Sequence, residues 1–187
     1  MANSIAKLFS FGRDGLWQKK DQRVVGLDLG HSSAKAVQLR NDKGRIVLET
    51  YGEIALGPYG DLAVGQVANL NSAKTAEMLK DLFQEANITA KAISVSIPLR
   101  SSLLVIIELP QIKESKLETI VPIEARKYIP VPVSEVELDW WVIPRPAGDE
   151  TETKKTEILL AAIHKEIIGR YKEDLRLLDL VPAFFEI

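Results

Sequence analysis

The sequence predicts an α/β protein of two units, a sheet with a crossover helix followed by a second, smaller unit. Three observations support this. Short apolar runs separated by turn residues fill residues 24–51 and are typical of strands. An amphipathic helix and a further buried strand come next. Beyond residue 99 the order strand, helix, strand, strand, helix begins a new unit.

Composition excludes several classes of protein. The chain has 187 residues, and its 24 Lys and Arg against 26 Asp and Glu leave no basic footprint for nucleic acid. Without cysteine it has no disulfide, thiolate nucleophile or zinc ribbon. The longest apolar run, residues 158–163, is far shorter than the roughly 20 residues that span a bilayer. We therefore expect a soluble protein that is not transmembrane.

Residues 1–22 form an N-terminal extension that mixes apolar and basic side chains, including Phe9, Phe11, Trp17, Lys19 and Lys20. A short basic segment with aromatic residues can rest on an anionic membrane surface. The pattern favours the simpler interpretation, a loose terminus that docks a few side chains on the core.

The first unit starts with three strands. They are predicted at residues 24–29, 33–39 and 45–51, with a turn at residues 41–44. In the second strand apolar Val37 and Leu39 alternate with polar Gln38 and Arg40. In the third strand Ile46 and Leu48 share one face. This pattern predicts an antiparallel meander.

A helix is predicted over residues 71–86, with Asn71 or Ser72 as its N-cap and Asn87 in the left-handed turn at its end. Its apolar stripe comprises Ala76, Leu79, Leu82, Phe83 and Ala86. Residues 92–97 then read as a buried strand.

The second unit begins with a strand at residues 103–109. Ser115 and Glu118 have the spacing of a capping box, which predicts a helix start at Ser115. Pro122 falls inside this helix and predicts a kink. The expected buried stripe comprises Leu117, Ile120, Val121, Ala125, Tyr128 and Ile129.

Two strands and a helix complete the second unit. The strands are predicted at residues 136–142 and 157–163, joined by an exposed hairpin loop at residues 144–156, and the helix at residues 165–178. One of Trp140 and Trp141 should pack in the core, and the other is free for a partner. Residues 181–187 begin a further strand.

One motif carries chemistry. Asp28 ends a buried strand, Gly30, Ser32 and Ser33 make a tight turn, and Lys35 follows on the next strand. The backbone N–H groups of such a turn form an anion-binding concavity, and a hairpin brings the Lys35 ammonium back toward it. Magnesium keeps most of its waters and takes few carboxylates, which suits Asp28 as a ligand through water. The segment therefore predicts a grip on nucleotide phosphates.

The same residues also fit a plain strand, a glycine turn and a surface lysine, and an isolated Asp-x-Gly is common. The spacing at the start of a meander favours the phosphate loop. The two histidines have no ligand cluster around them, and no nucleophile and base pair can be assembled. Catalytic and partner-contact residues stay unassigned.

Residues 24–39 resemble the first phosphate motif of the actin-like ATPases, within which the PilM family of type IV pilus assembly proteins is the most similar. Residues 92–110 and 124–132, followed by 136–142, carry the same resemblance. It implies a ribonuclease-H-like subdomain at residues 23–98 and an inserted FtsA/PilM-type α+β subdomain at 99–179. Residues 180–187 would begin the return to the first subdomain.

The resemblance also implies a function. Such proteins are cytoplasmic, actin-like scaffolds peripheral to the inner membrane. They bind ATP with Mg²⁺ and the cytoplasmic tail of a bitopic PilN-like protein, beside other platform proteins. The phosphate-binding roles would carry over to Gly30, Ser32, Ser33 and Lys35, and the Mg²⁺ role to Asp28.

The resemblance has one departure, since no second phosphate loop and no glycine-rich adenosine loop follow Gly30; the later Asp-x-Gly, at residues 42–44, falls in the predicted turn between two strands. We therefore expect a fragment or a half-molecule that does not hydrolyse ATP alone, and at most a weak ATPase at full length. The alternatives are an FtsA-like division protein, a type II secretion platform protein, or the N-terminal half of a sugar or acetate kinase of the same superfamily.

Overall fold

The computed structural model describes residues 23–144 and 155–187. The N-terminal extension and almost all of the loop expected at 144–156 lie outside these residues. The described chain divides into two compact units, one formed by residues 23–98 with 168–187 and the other by residues 99–144 with 155–167. None of the helices within the described ranges is long and apolar enough to cross a membrane.

The first unit is a five-stranded sheet with two helices. Its strands are β1 (Arg23–Leu29), β2 (Ser33–Asp42), β3 (Arg45–Ala55), β4 (Ala92–Ser96) and β8 (Val181–Glu186). The spatial order is β3-β2-β1-β4-β8. β1, β2 and β3 form the expected antiparallel meander, whereas β4 and β8 run parallel to β1. The helices are α1 (Ser72–Glu85) and α3 (Lys165–Arg176).

The caps predicted for α1 are confirmed. The Asn71 side chain accepts a hydrogen bond from the Lys74 backbone N–H at 2.9 Å, and Asn87 has a left-handed φ of 53°. Met78, Leu79 and Leu82 are the helix residues that become buried. A β-carbon at Gly52 would lie 2.9 Å from Ala86 Cβ, so a glycine there lets α1 approach β3 closely.

Burial in β2 does not follow the alternation of apolar Val37 and Leu39 with polar Gln38 and Arg40. Gln38 is buried at 3% exposure, together with Ala34 and Ala36. The Gln38 amide accepts from the N–H groups of Thr89 and Ala90, both at 2.8 Å. A polar side chain is therefore buried here because the connection from α1 to β4 needs its acceptor.

Helix α3 also differs from expectation, because its residues from Ile168 onward group with the first unit, not with the insertion. Ile168 and Leu175 are buried, and the Tyr171 ring lies 6.4 Å from that of Phe185 on β8. Asp174 is buried close enough to Ser72, at the start of α1, for that hydroxyl to lower its pKa. These contacts hold α3 beside α1, which a chain-order argument cannot reveal.

The second unit is a three-stranded antiparallel sheet and one helix. Its strands are β5 (Ser102–Pro110), β6 (Val136–Val142) and β7 (Lys155–His164), in the order β5-β7-β6. The helix is α2 (Glu114–Ala125). Ile107, Val121, Ile158 and Leu160 are central to a core of its own. Trp140 packs against this core while Trp141 is 44% exposed, as the sequence analysis expected.

Two expectations for α2 were wrong. The helix begins at Glu114 with Lys113 as its N-cap, and no side chain caps it, so Ser115 does not start a capping box. The helix ends at Ala125, with Pro122 inside it, and Tyr128 beyond its end is 43% exposed instead of buried. The last two residues of the predicted buried stripe lie in the turn after the helix, where burial no longer follows helical periodicity.

Candidate functional site

The candidate site lies in the first unit, on the sheet face opposite α1. Asp28 is the next-to-last residue of β1, and Ser96 and Glu186 end the parallel strands β4 and β8. Lys35 on β2 is the register partner of Asp28, and Glu53 on β3 is the partner of Lys35. Because register partners project to the same face, these five residues form one line across all five strands. We call them the polar row.

A neighbouring line identifies the faces of the sheet. Phe185, Val95, Leu27, Ala36 and Gly52 are successive register partners across the same five strands. This line meets α1 at Gly52 and α3 at Phe185. The polar row, one residue out of phase with it, therefore projects away from both helices.

An open cavity of about 500 Å³ follows the polar row. All five members of the row line it, and Gly26, Val37, Tyr51 and Ser94 belong to the next line of register partners. Tyr51 is 74% exposed, so this part of the face is accessible. Ligands of α/β sheets bind at the carboxyl ends of parallel strands, which is where this cavity lies.

Two polar contacts organise the row. Ser96 Oγ donates a hydrogen bond to Asp28 Oδ1 at 2.6 Å, which orients the carboxylate. Lys35 Nζ lies 3.6 Å from Glu53 Oε1, in an ion pair whose side chains are 57% and 58% exposed. Within the described residues Lys35 forms its ion pair with Glu53 and not with Asp28. The cavity thus holds three carboxylates and one ammonium, an excess of negative charge.

The sequence-predicted residues are brought together only in part. Asp28 and Lys35 share the cavity, while Gly30, Ser32 and Ser33 are not among its lining residues. Gly30 and Ser32 lie in the turn after β1, and Ser33 is the first residue of β2. A β-carbon at Gly30 would lie 2.8 Å from the Ser33 carbonyl oxygen, so the turn closes tightly only with glycine.

The segment that follows β3 holds this turn through two backbone hydrogen bonds. The Leu56 N–H donates to the Ser32 carbonyl at 2.9 Å, and the Ala68 N–H donates to the His31 carbonyl at 3.2 Å. These two carbonyls are therefore engaged within the protein, which leaves fewer acceptors in the turn to repel an anion.

The arrangement fits a hydrated magnesium ion more than a fully protein-ligated one. No cluster of three or more His, Asp or Glu side chains that could hold a metal occurs in the part of the chain the structure describes. Asp28 alone supplies a carboxylate oriented by Ser96. Magnesium is commonly held by one or two carboxylates together with substrate phosphates and water.

Sequence reasoning missed Ser96, Glu53 and Glu186. Ser96 and Glu186 each occupy the last position of a strand parallel to β1, a signal that becomes visible once strand order is known. Glu53 depends on the register of β3, which a bulge near Leu39 shifts by one residue.

The chain is similar to known proteins in both sequence and structure. The sequence profile of a family described as type IV pilus assembly protein PilM matches residues 26–185. A solved structure, described as the PilM-PilN type IV pilus biogenesis complex, superimposes with a TM-score of 0.69 at 27% identity. That match covers 88% of this chain and 47% of the other, so the chain spans about half the length of the protein it resembles.

A second structure is more distant. The cytoplasmic domain of EpsL, an inner-membrane component of the type II secretion system of Vibrio cholerae, superimposes with a TM-score of 0.54. It is 10% identical, and the match covers 88% of this chain and 56% of that one. At this identity the likeness shows the fold alone.

Proposed function

The chain belongs to the PilM family of type IV pilus assembly proteins, and from this membership we propose that it is a scaffold of the pilus assembly platform. It binds a magnesium nucleotide through the polar row and the neighbouring turn. It also binds the cytoplasmic tail of a PilN-like membrane protein, which holds it at the cytoplasmic face of the inner membrane.

The register of β1 and β2 carries the nucleotide part of this proposal. It makes Asp28 and Lys35 register partners that line the same open cavity. Asp28 would hold Mg²⁺ through water, and Lys35 with the donors of Gly30, Ser32 and Ser33 would hold phosphate oxygens. Bound Mg²⁺ supplies the positive charge that offsets the surplus carboxylates.

An Asp28→Ala substitution tests the metal role. We expect at least a tenfold loss of affinity for MgATP, because the carboxylate that retains the hydrated ion is removed. Isothermal titration calorimetry measures the affinity. Asp42→Ala is the matched control, since Asp42 is an exposed aspartate at the far end of β2. Equal MgATP affinity in wild type and Asp28→Ala would contradict the nucleotide proposal.

The resemblance to a PilM-PilN complex supports the partner. We expect a synthetic peptide with the cytoplasmic tail sequence of the PilN-like protein of the same genome to bind the protein. Fluorescence anisotropy measures this, with a scrambled peptide as control. If the tail binds no better than the scrambled peptide, the partner proposal fails independently of the nucleotide result.

A further inference from the structure

We propose that Glu53 is a specificity-determining residue of this site: it competes with phosphate for the Lys35 ammonium and makes binding depend on Mg²⁺. The inference rests on the proposed nucleotide function and deepens it. Glu53 belongs to no part of the phosphate motif, and its relation to Lys35 arises only from strand pairing.

The geometry places Lys35 between two carboxylates. Asp28 is its register partner on one side and Glu53 on the other. The ion pair forms with Glu53, at 3.6 Å. An ammonium that faces a carboxylate has part of its charge compensated, so a phosphate oxygen gains less from binding it. Glu53 therefore competes with a phosphate oxygen for the Lys35 charge.

The ion pair between Lys35 and Glu53 can be broken at little cost when a ligand binds. Its side chains are 57% and 58% exposed, and exposed ion pairs contribute little to folding stability. Breaking it requires no rearrangement of the core, because neither residue is buried. Breaking the Lys35–Glu53 pair therefore lowers the affinity for the ligand and leaves the stability of the fold almost unchanged.

The charge of the cavity explains the link to magnesium. With Glu53 present, the phosphates meet three carboxylates and one partly occupied ammonium. Like charges at this range repel, so a polyphosphate without metal binds poorly. Neutralising Glu53 frees Lys35 and removes one repelling charge at the same time.

Glu53→Gln is the test, with MgATP and inorganic tripolyphosphate as probes and NMR titration to follow weak binding. We expect about two- to fivefold tighter MgATP binding, from the usual size of an exposed charge pair. The gain should be larger for tripolyphosphate without Mg²⁺, and it should shrink at high salt because exposed charges are screened.

Glu186→Gln is the matched control. It removes a carboxylate from the same cavity at a residue that forms no ion pair with Lys35 in the described structure. In a Lys35→Gln background the gain from Glu53→Gln should fall to the size of the gain from Glu186→Gln, because only the loss of a repelling charge is left, whereas the gain from Glu186→Gln should be unchanged. A merely structural role of Glu53 would instead change the melting temperature and leave the two effects additive.

The outcomes are separable. If wild type binds MgATP, Asp28→Ala does not, and Glu53→Gln binds no more tightly than wild type, this inference is overturned while the nucleotide function stands. If the gain from Glu53→Gln is as large without Lys35 as with it, the competition is overturned as well. If wild type binds neither probe, the nucleotide function and this inference fall together.

Discussion

At the scale of single residues, Gln38 joins two parts of the first unit. Its carbonyl oxygen accepts from Thr89 and Ala90, and its amide nitrogen donates to Glu49 at 2.8 Å. Gln38→Leu leaves two N–H groups without their acceptor. We expect about 2–4 kcal/mol of lost stability in urea unfolding. Gln84→Leu, on the exposed side of α1, is the control, and an equal loss in both variants would contradict this role.

Asp174 makes stability depend on pH. Burial raises the pKa of its carboxyl above the ordinary value, and the Ser72 hydrogen bond only partly opposes this. Between the ordinary and the raised pKa the folded state therefore binds more protons than the unfolded state, so stability contributed by this group falls as pH rises. Asp174→Asn should remove that dependence in urea unfolding followed from pH 4 to 7.

The control for this titration is Asp179→Asn, whose side chain is 97% exposed. It should leave the pH dependence almost unchanged. If Asp174→Asn and wild type lose stability in parallel across the same range, Asp174 is not the group responsible.

At the scale of elements, the segment after β3 connects α1 to the turn between β1 and β2. The Tyr59 hydroxyl donates to Asp81 Oδ2 on α1 at 2.7 Å. Burial and this bond raise the pKa of Tyr59 to about 12. The same segment braces His31 and Ser32 through Leu56 and Ala68. Anchoring the segment to α1 therefore also holds the turn.

We expect Tyr59→Phe to destabilise the protein by about 1 kcal/mol. It should also weaken binding of magnesium tripolyphosphate, because the segment that supports the turn loses its hydrogen bond to α1. Thermal unfolding and NMR titration measure the two effects. Tyr128→Phe, at an exposed tyrosine of the insertion, should change neither. Unchanged affinity in Tyr59→Phe would show that the turn does not depend on this anchor.

At the scale of the whole molecule, each unit has its own core. Leu160 is fully buried in that of the insertion. Leu160→Ala should cost about 2–5 kcal/mol because it leaves a cavity. Hydrogen exchange should then accelerate in residues 99–144 and 155–167 while β1 and β4 stay protected. Equal acceleration in β1 would show that the chain unfolds as one unit.

Much of this organisation was predictable because it is local. Asn71 and Asn87 bound α1 through capping chemistry that needs no distant partner. The meander follows from alternation and a turn at residues 41–44, and the structure places the connection at Lys43 and Gly44. In contrast, Ile46 and Leu48 lie on one face as expected but are more than half exposed, because neither α1 nor α3 covers that face in the described part of the unit.

The sequence by itself determined the family, the order of the strands and helices along the chain, and the neighbouring pair Asp28 and Lys35. These depend on short-range periodicity and on a hairpin that closes within a few residues. Strand order and register, which are set by packing between distant segments, decided the rest. They placed Ser96, Glu53 and Glu186 beside the motif, buried Gln38, and moved α3 to the first unit.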